Sequence, residues 1–124
     1  MTALRHIVGV IDDDQSVRGA LLRLFRTAGL EVSLFSSAEE YLSSPERTGI
    51  ECLIIDLRLP GMSGLDLLHR LGAESMPSLL ITAQEDAQLQ DRALAAGAVG
   101  FFRKPFNNRQ LVSTVKQALR LGEI

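Results

Sequence analysis

Apolar runs of about five residues alternate along the chain with longer stretches whose apolar positions recur at helical spacing. The first run, Ile7 to Ile11, ends in Asp12-Asp13-Asp14. Val17, Leu21, Leu24, Phe25 and Ala28 then fall on one helix face, and Gly29 supplies the stop. Leu30, Val32 and Leu34 alternate with Glu31 and Ser33, which predicts a less buried strand. Ser37 and Glu40 have the spacing of a capping box for a short helix through Leu42, and Pro45 to Gly49 read as a loop. The third run, Cys52 to Ile55, ends in Asp56. After Pro60-Gly61-Met62-Ser63-Gly64, the positions Leu65, Leu68 and Leu71 predict another helix. Pro77 introduces Leu79-Leu80-Ile81, ending in Thr82, and a helix from about residue 86 to Ala96 closes at Gly97. The last run, Val99 to Phe102, ends in Arg103-Lys104-Pro105, and Leu111, Val115, Ala118 and Leu119 mark the final helix.

Five strands alternating with five helices predict an α/β fold with a doubly wound, five-stranded parallel sheet. Nearly continuous apolar runs fit strands covered on both faces. Right-handed crossovers place the C-terminal end of every strand on one edge of such a sheet. Asp12 and Asp13, Asp56, Thr82 and Lys104 end strands one, three, four and five, so residues far apart in sequence are expected to meet there. Open sheets of this class bind their ligands at that edge.

The bulk numbers add limits. A length of 124 residues suits a single domain over 1–124, and 46% hydrophobic with 23% charged residues places the chain among ordinary globular sequences. A net charge of -2 with scattered Lys and Arg carries no electrostatic footprint for nucleic acid. The single cysteine, Cys52, excludes a disulfide framework within the chain and reads as a buried inert thiol. No apolar stretch reaches the roughly 18 residues of a membrane span. Met1 to His6 lack the apolar core of a signal peptide, so a cytoplasmic protein with no membrane partner is the simplest expectation. His6 and His69 stand at no ligand spacing, and Met62 and Met76 read as loop or core filler.

The chemistry follows from the shared edge. Gathered carboxylates raise one another's pKa unless something neutralises them, and a hard divalent cation with oxygen ligands does so. Lys104 adds a fixed positive charge and Thr82 a hydroxyl. A carboxylate nucleophile, a metal, an ammonium and a hydroxyl are parts suited to phosphoryl transfer, in which positioning and charge neutralisation dominate. A carboxylate can itself attack and form an aspartyl phosphate. Each feature alone has a plainer reading. Asp14 can be a helix N-cap at a simple strand exit, Asp56 a turn residue, Thr82 a strand residue satisfied by backbone, and Lys104 a solvated lysine. The weight lies in four such features on one predicted edge.

The segments Val10 to Arg18, Ile55 to Gly64, Leu80 to Ala83, Ala96 to Ala98 and Lys104 to Phe106 together resemble the receiver domains of two-component response regulators. The resemblance covers essentially the whole chain, and in detail is strongest to the FixJ-like branch, whose receivers usually precede a helix-turn-helix output domain. It implies a flavodoxin-like, CheY-like sheet of order 2-1-3-4-5. It implies a phosphorylation-dependent switch in which Asp56 accepts the phosphoryl group from a sensor histidine kinase. Asp13 would bind Mg²⁺ (with Mn²⁺ as the alternative) directly, Asp12 would assist, and Arg58 would add its backbone carbonyl. Thr82 and Lys104 would hold the phosphoryl oxygens, and the Lys104-Pro105 bond would be cis. Phe101 stands at the aromatic switch position. Phosphorylation would then alter the face of helix four, strand five and helix five, with homodimerisation through it and a DNA-binding output outside this chain. Such a domain assists its own phosphorylation and dephosphorylation but is not an enzyme that turns over a metabolite.

Two departures stand out. Many relatives in that branch continue after the threonine with a Gly-x-Gly-Asp-like loop, whereas this chain reads Thr82-Ala83-Gln84-Glu85-Asp86. Gln84 is the residue placed to orient or block a hydrolytic water. Phe101 lacks the hydroxyl of a tyrosine. Three other classes share parts of the pattern. An aspartyl-phosphate phosphatase commonly carries a second Asp two residues past the nucleophile, where Arg58 stands here. A flavodoxin-like nucleotide or flavin binder needs a Gly/Ser/Thr-rich loop after the first strand, where Asp12 to Asp14 stand. A receiver-like module that binds partners without being phosphorylated remains the third.

Overall fold

The computed structural model describes residues 6–72, 76–83 and 87–119. In chain order these form β1 (Ile7–Ile11), α1 (Gln15–Thr27), β2 (Glu31–Phe35), α2 (Ala38–Ser43), a 3₁₀ turn (Pro45–Gly49), β3 (Cys52–Asp56), α3 (Gly64–Leu71), β4 (Ser78–Thr82), α4 (Ala87–Ala95), β5 (Gly100–Arg103) and α5 (Asn108–Ala118). All four strand pairings are parallel, and the order is β2-β1-β3-β4-β5. The expected doubly wound sheet and its order are therefore present.

The strands' period of two divides the core into two layers. Leu53, Ile55 and Leu80 pack with Ala38, Tyr41, Leu65, Leu67, Leu68 and Ala93 of α2, α3 and α4. Cys52, Ile54, Leu79 and Ile81 face the other way, onto Leu21 and Phe25 of α1 and Leu111 and Val115 of α5. β3 and β4 are buried at every position, as their unbroken apolar runs require. Burying each Leu or Ile side chain of this central pair contributes about 1.5–3 kcal/mol. Gly9 sits opposite Leu53 in the sheet, and a Cβ there would come within 2.8 Å of the Leu53 side chain.

The helix ends follow the local chemistry. Gly29 takes φ +87° after α1, which lets Leu30 N–H reach the Phe25 carbonyl at 2.9 Å and Gly29 N–H the Arg26 carbonyl at 3.0 Å. This paired closure needs the left-handed conformation that glycine adopts freely. Ser37 caps α2 by accepting from Glu40 N–H. The reciprocal half of the expected capping box is displaced, because the Glu40 carboxylate accepts from Ser36 N–H and Ser36 hydroxyl instead.

Four local features differ from the sequence pattern. Pro45 to Gly49 wind into a 3₁₀ turn, since Ser44 accepts from Glu46 N–H and Pro45 needs no N–H partner in a first turn. Val99 is not in the last strand but precedes it, with its N–H on the Ser78 carbonyl, and the residue is 53% exposed. Phe101 and Phe102 are only half-buried, because β5 is an edge strand rather than one covered on both faces. Leu67 is fully buried although the helical spacing does not select it. The expected start of α4 at residue 86 and the whole of Gln84 to Asp86 lie outside the described residues.

Candidate functional site

Asp12 follows the last residue of β1 and is fully buried. Its N–H donates to the Phe35 carbonyl at 3.1 Å, which continues the β1–β2 ladder one step past the strand. Its Oδ1 accepts from Asp14 N–H at 2.9 Å, and its Oδ2 from Lys104 Nζ at 2.9 Å. Asp14 serves separately as the N-cap of α1, accepting from Ser16 N–H at 2.8 Å. The acidic triplet thus divides its work: Asp14 caps the helix, while Asp12 and the exposed Asp13 lie at the sheet edge.

Asp56 is the last residue of β3 and is 5% exposed. Its Oδ1 accepts from Arg58 N–H at 3.0 Å and its Oδ2 from Lys104 Nζ at 3.3 Å. The backbone of α3 begins so close behind it that a Cβ at Gly64 would collide with the Asp56 carbonyl. Thr82 ends β4 and is 1% exposed, and its carbonyl accepts from Lys104 N–H at 2.7 Å. Lys104 follows β5, and the Lys104-Pro105 peptide bond is cis. One carboxylate oxygen each from Asp12, Asp13 and Asp56 lies within 4.8 Å of the others.

Electrostatics follow from that crowding. Burial pushes the Asp56 carboxyl up from 3.8 to about 6; the Arg58 N–H opposes the rise, the Asp12 charge adds to it, and Lys104 opposes it. Burial works against the Lys104 ammonium, but its bonds and proximity to Asp12 and Asp56 outweigh this and hold it above the ordinary lysine value. Lys104 bridges Asp12 and Asp56, and Asp13 brings a third carboxylate to the cluster. Its hard oxygen donors fit a small divalent cation such as Mg²⁺.

The edge therefore brings together Asp12, Asp13, Asp56, Thr82 and Lys104. Arg58 lies two residues beyond Asp56 and donates its N–H into the same group. Phe101 sits farther down β5, opposite Leu80, and packs against the layer of α2, α3 and α4. Thr82 pairs with Arg103 in the same ladder, so period two puts Thr82 and Phe101 diagonally across one face. Neither histidine is at the edge: His6 precedes β1 and pairs with Glu51 at 2.9 Å, and His69 is in the last turn of α3. Cys52 is buried, with burial alone pushing its thiol up to about 12. Met76 borders the core, where its sulfur lies 3.9 Å from the Tyr41 hydroxyl.

Two contacts at this edge escaped the sequence reading. Arg18 Nη1 donates to the Asp12 carbonyl at 2.7 Å, and Glu39 accepts from Met62 N–H at 2.8 Å, tying α2 to the loop after β3. Arg18 lies six residues past Asp12, a spacing that carries no regular contact signal. Glu39 looks like any acidic residue in a first helical turn.

Comparison with known proteins agrees with this geometry. Residues 8–116 match the response regulator receiver domain family. The chain is 40% identical to the response regulator protein TodT of Pseudomonas putida, over 98% of this chain and 57% of that protein. It is 37% identical to the transcriptional regulatory protein FixJ of Bradyrhizobium diazoefficiens, over 99% of this chain and 60% of that protein. It thus spans little more than half the length of these curated relatives. Among solved structures, the response regulator StyR is similar with a TM-score of 0.83 at 38% identity, covering 97% of this chain and 62% of that one. A CheY-like receiver domain protein from Methanospirillum hungatei is similar with a TM-score of 0.87 at 25% identity, covering 97% and 98%. The chain belongs to the response regulator receiver domain family.

Proposed function

We propose that this receiver domain, spanning 1–124, is a signalling switch in which Asp56 accepts a phosphoryl group from a sensor histidine kinase. The observation that carries the reading is the Asp56 carboxylate, gathered with Asp12 and Asp13 and hydrogen-bonded to Lys104. An Asp56 oxygen attacks phosphorus as the bond from phosphorus to the donor breaks, leaving an acyl phosphate and the free donor. Ionised Asp56 is the attacking form, and with its carboxyl near 6 it is mostly ionised at neutral pH. Arg58 N–H occupies Oδ1, while Oδ2 faces Lys104. The Lys104 ammonium then moves from the carboxylates to the new phosphoryl oxygens, and the Thr82 hydroxyl joins it there.

Asp12, Asp13, Asp56 and the Arg58 carbonyl are the groups that would hold Mg²⁺, with Mn²⁺ as the alternative. When bound, the ion neutralises charge on the transferring group. The output reading follows from the Thr82–Phe101 diagonal. Thr82 is drawn toward the phosphoryl group because a charge-assisted hydrogen bond is stronger than a neutral one. Phe101 turns into the space left, and the α4–β5–α5 face changes to one that pairs with a second copy. A two-state element needs only a few kcal/mol of differential interaction for this. The name of FixJ, a transcriptional regulatory protein, supports a transcriptional output; a DNA-binding domain outside this chain would carry it, and the receiver domain itself would bind no nucleic acid. None of the described helices is long and apolar enough to cross a membrane, consistent with a cytoplasmic site of action. The domain acts as a phosphoacceptor that assists its own labelling rather than as a metabolic enzyme.

Incubation with acetyl phosphate and Mg²⁺, followed by intact mass measurement, tests the reading. The wild type gains one phosphoryl group and Asp56→Asn gains none. A wild type that stays unlabelled favours the partner-binding module without phosphorylation, and equal labelling of Asp56→Asn moves the acceptor elsewhere.

A further inference from the structure

Arg18 is in the first turn of α1 and is half-buried. Its Nη1 reaches back to the Asp12 carbonyl at 2.7 Å. On the other side of the same residue, Asp12 N–H is held by the Phe35 carbonyl at 3.1 Å. Both main-chain polar groups of Asp12 are therefore fixed, one by α1 and one by the end of β2. The anchor is braced from behind. Glu40 accepts from Ser36 N–H at 2.6 Å and from Ser36 hydroxyl at 2.8 Å, next to Phe35. Those two bonds, and then the nearby Arg18 charge, hold the Glu40 carboxyl below its ordinary value against a small opposing effect of burial. α1 and the end of β2 thus meet at one residue of the acidic edge, and α2 reaches the turn beside it through Glu40.

We propose that Arg18 is a positioning residue: its guanidinium fixes the β1–α1 turn so that Asp12 and Asp13 present their carboxylates in the geometry a divalent cation requires. The proposal rests on reading the three-carboxylate cluster as a Mg²⁺ site. Mg²⁺ demands near-ideal octahedral geometry, so a turn free to shift weakens the site even with every ligand present. A charge-assisted hydrogen bond of 2.7 Å is among the stronger single anchors available to such a turn. Through space, the Arg18 charge acts in the opposite sense, because a cation beside a cation site repels the ion. Removing Arg18 therefore has opposite effects under the two roles.

Titration calorimetry of the chain with MgCl₂ separates them, comparing wild type, Arg18→Met and Arg18→Lys. Methionine keeps the packing of the aliphatic stem and removes the donors. Arg18→Met is expected to bind Mg²⁺ about tenfold more weakly at unchanged stoichiometry, the size of one lost hydrogen bond to a charged group. Arg18→Lys recovers part of the loss, since its ammonium can again donate to the Asp12 carbonyl. In metal-free protein, the Asp14 amide that bonds Asp12 Oδ1 exchanges faster in Arg18→Met than in wild type. Unchanged or tighter Mg²⁺ binding by Arg18→Met overturns the positioning role and leaves only a bystander charge. Should Arg18→Met fold poorly, seen as lowered stoichiometry, the same comparison falls to Arg18→Gln, whose shorter, uncharged side chain cannot reach the Asp12 carbonyl as the guanidinium does: weaker binding with faster Asp14 exchange supports the proposal, and wild-type values overturn it. A wild type that binds no Mg²⁺ overturns the metal reading beneath it, a result distinct from either of these.

Discussion

Replacing Asp56 by Asn should stabilise the fold while removing its proposed chemistry. Burial, the Arg58 N–H, the Asp12 charge and Lys104 together place the Asp56 carboxyl at about 6 instead of 3.8. The folded state thus holds a proton that the unfolded chain has already released between those two values. Stability contributed by the protonated form is complete below about 3.8, falls as pH rises through the window to about 6, and stays low above it. A difference of about 2 in pKa corresponds to a ceiling of ~3 kcal/mol. Asparagine does not titrate and keeps an acceptor for Arg58 N–H, but it returns a weaker contact to Lys104, a loss of about 1 kcal/mol. The expected net gain is ~1–2 kcal/mol near neutral pH without metal, several degrees in melting temperature for a domain of this size. The gain should shrink toward zero at about pH 4. Urea unfolding of both proteins in EDTA across that pH range measures it, because every other carboxylate is present in both, so the difference reports position 56 together with its coupling to Asp12 and Lys104. Added Mg²⁺ should narrow the gap by binding the folded wild type. Parallel stability curves across the range, or an Asp56→Asn variant less stable at neutral pH, would refute the account of a strained buried carboxylate.

Asp13→Ala removes an exposed anionic ligand and should weaken Mg²⁺ binding by roughly ten- to a hundredfold with little change in stability; equal affinity by calorimetry would place the ligand elsewhere. Phosphorylation, or beryllofluoride with Mg²⁺, should convert monomer to dimer in sedimentation, and a monomer under both conditions rejects the homodimer. Phe101→Ala should still be labelled on Asp56 while failing to dimerise; normal dimerisation would show that the aromatic ring is not the switch. Gly64→Ala drives a methyl group into the Asp56 carbonyl and should cost about 2–3 kcal/mol, since the opposing atom is main chain and cannot swing aside; an unchanged urea midpoint would contradict the close approach.

Much of this protein was legible in one dimension. Period two and period 3.6 separate strands from helices because each reports which side of a local segment is apolar. Five alternating units of that kind restrict the sheet to a parallel one whose strand ends share an edge. Asp12, Asp56, Thr82 and Lys104 were legible for that reason: each ends an apolar run, and chain connectivity carries it to the same side. Gly29 was legible as a stop because its conformation is a property of one residue. Packing decided the rest. Lys104 reaches Asp12 across 92 residues and Asp56 across 48, and only the strand order sets those distances. The raised pKa of Asp56 is a property of burial, invisible in the residue type. Phe101 and Phe102 stand in an apolar run of the kind that fits a strand covered on both faces, yet β5 lies at the sheet's edge and leaves both half-buried. Arg18 and Glu39 act through main-chain partners in other loops, and a hydrogen bond to a backbone atom leaves no mark on the partner's identity. Local patterns record the free energy of a segment, whereas these contacts exist only once the segments have been brought together.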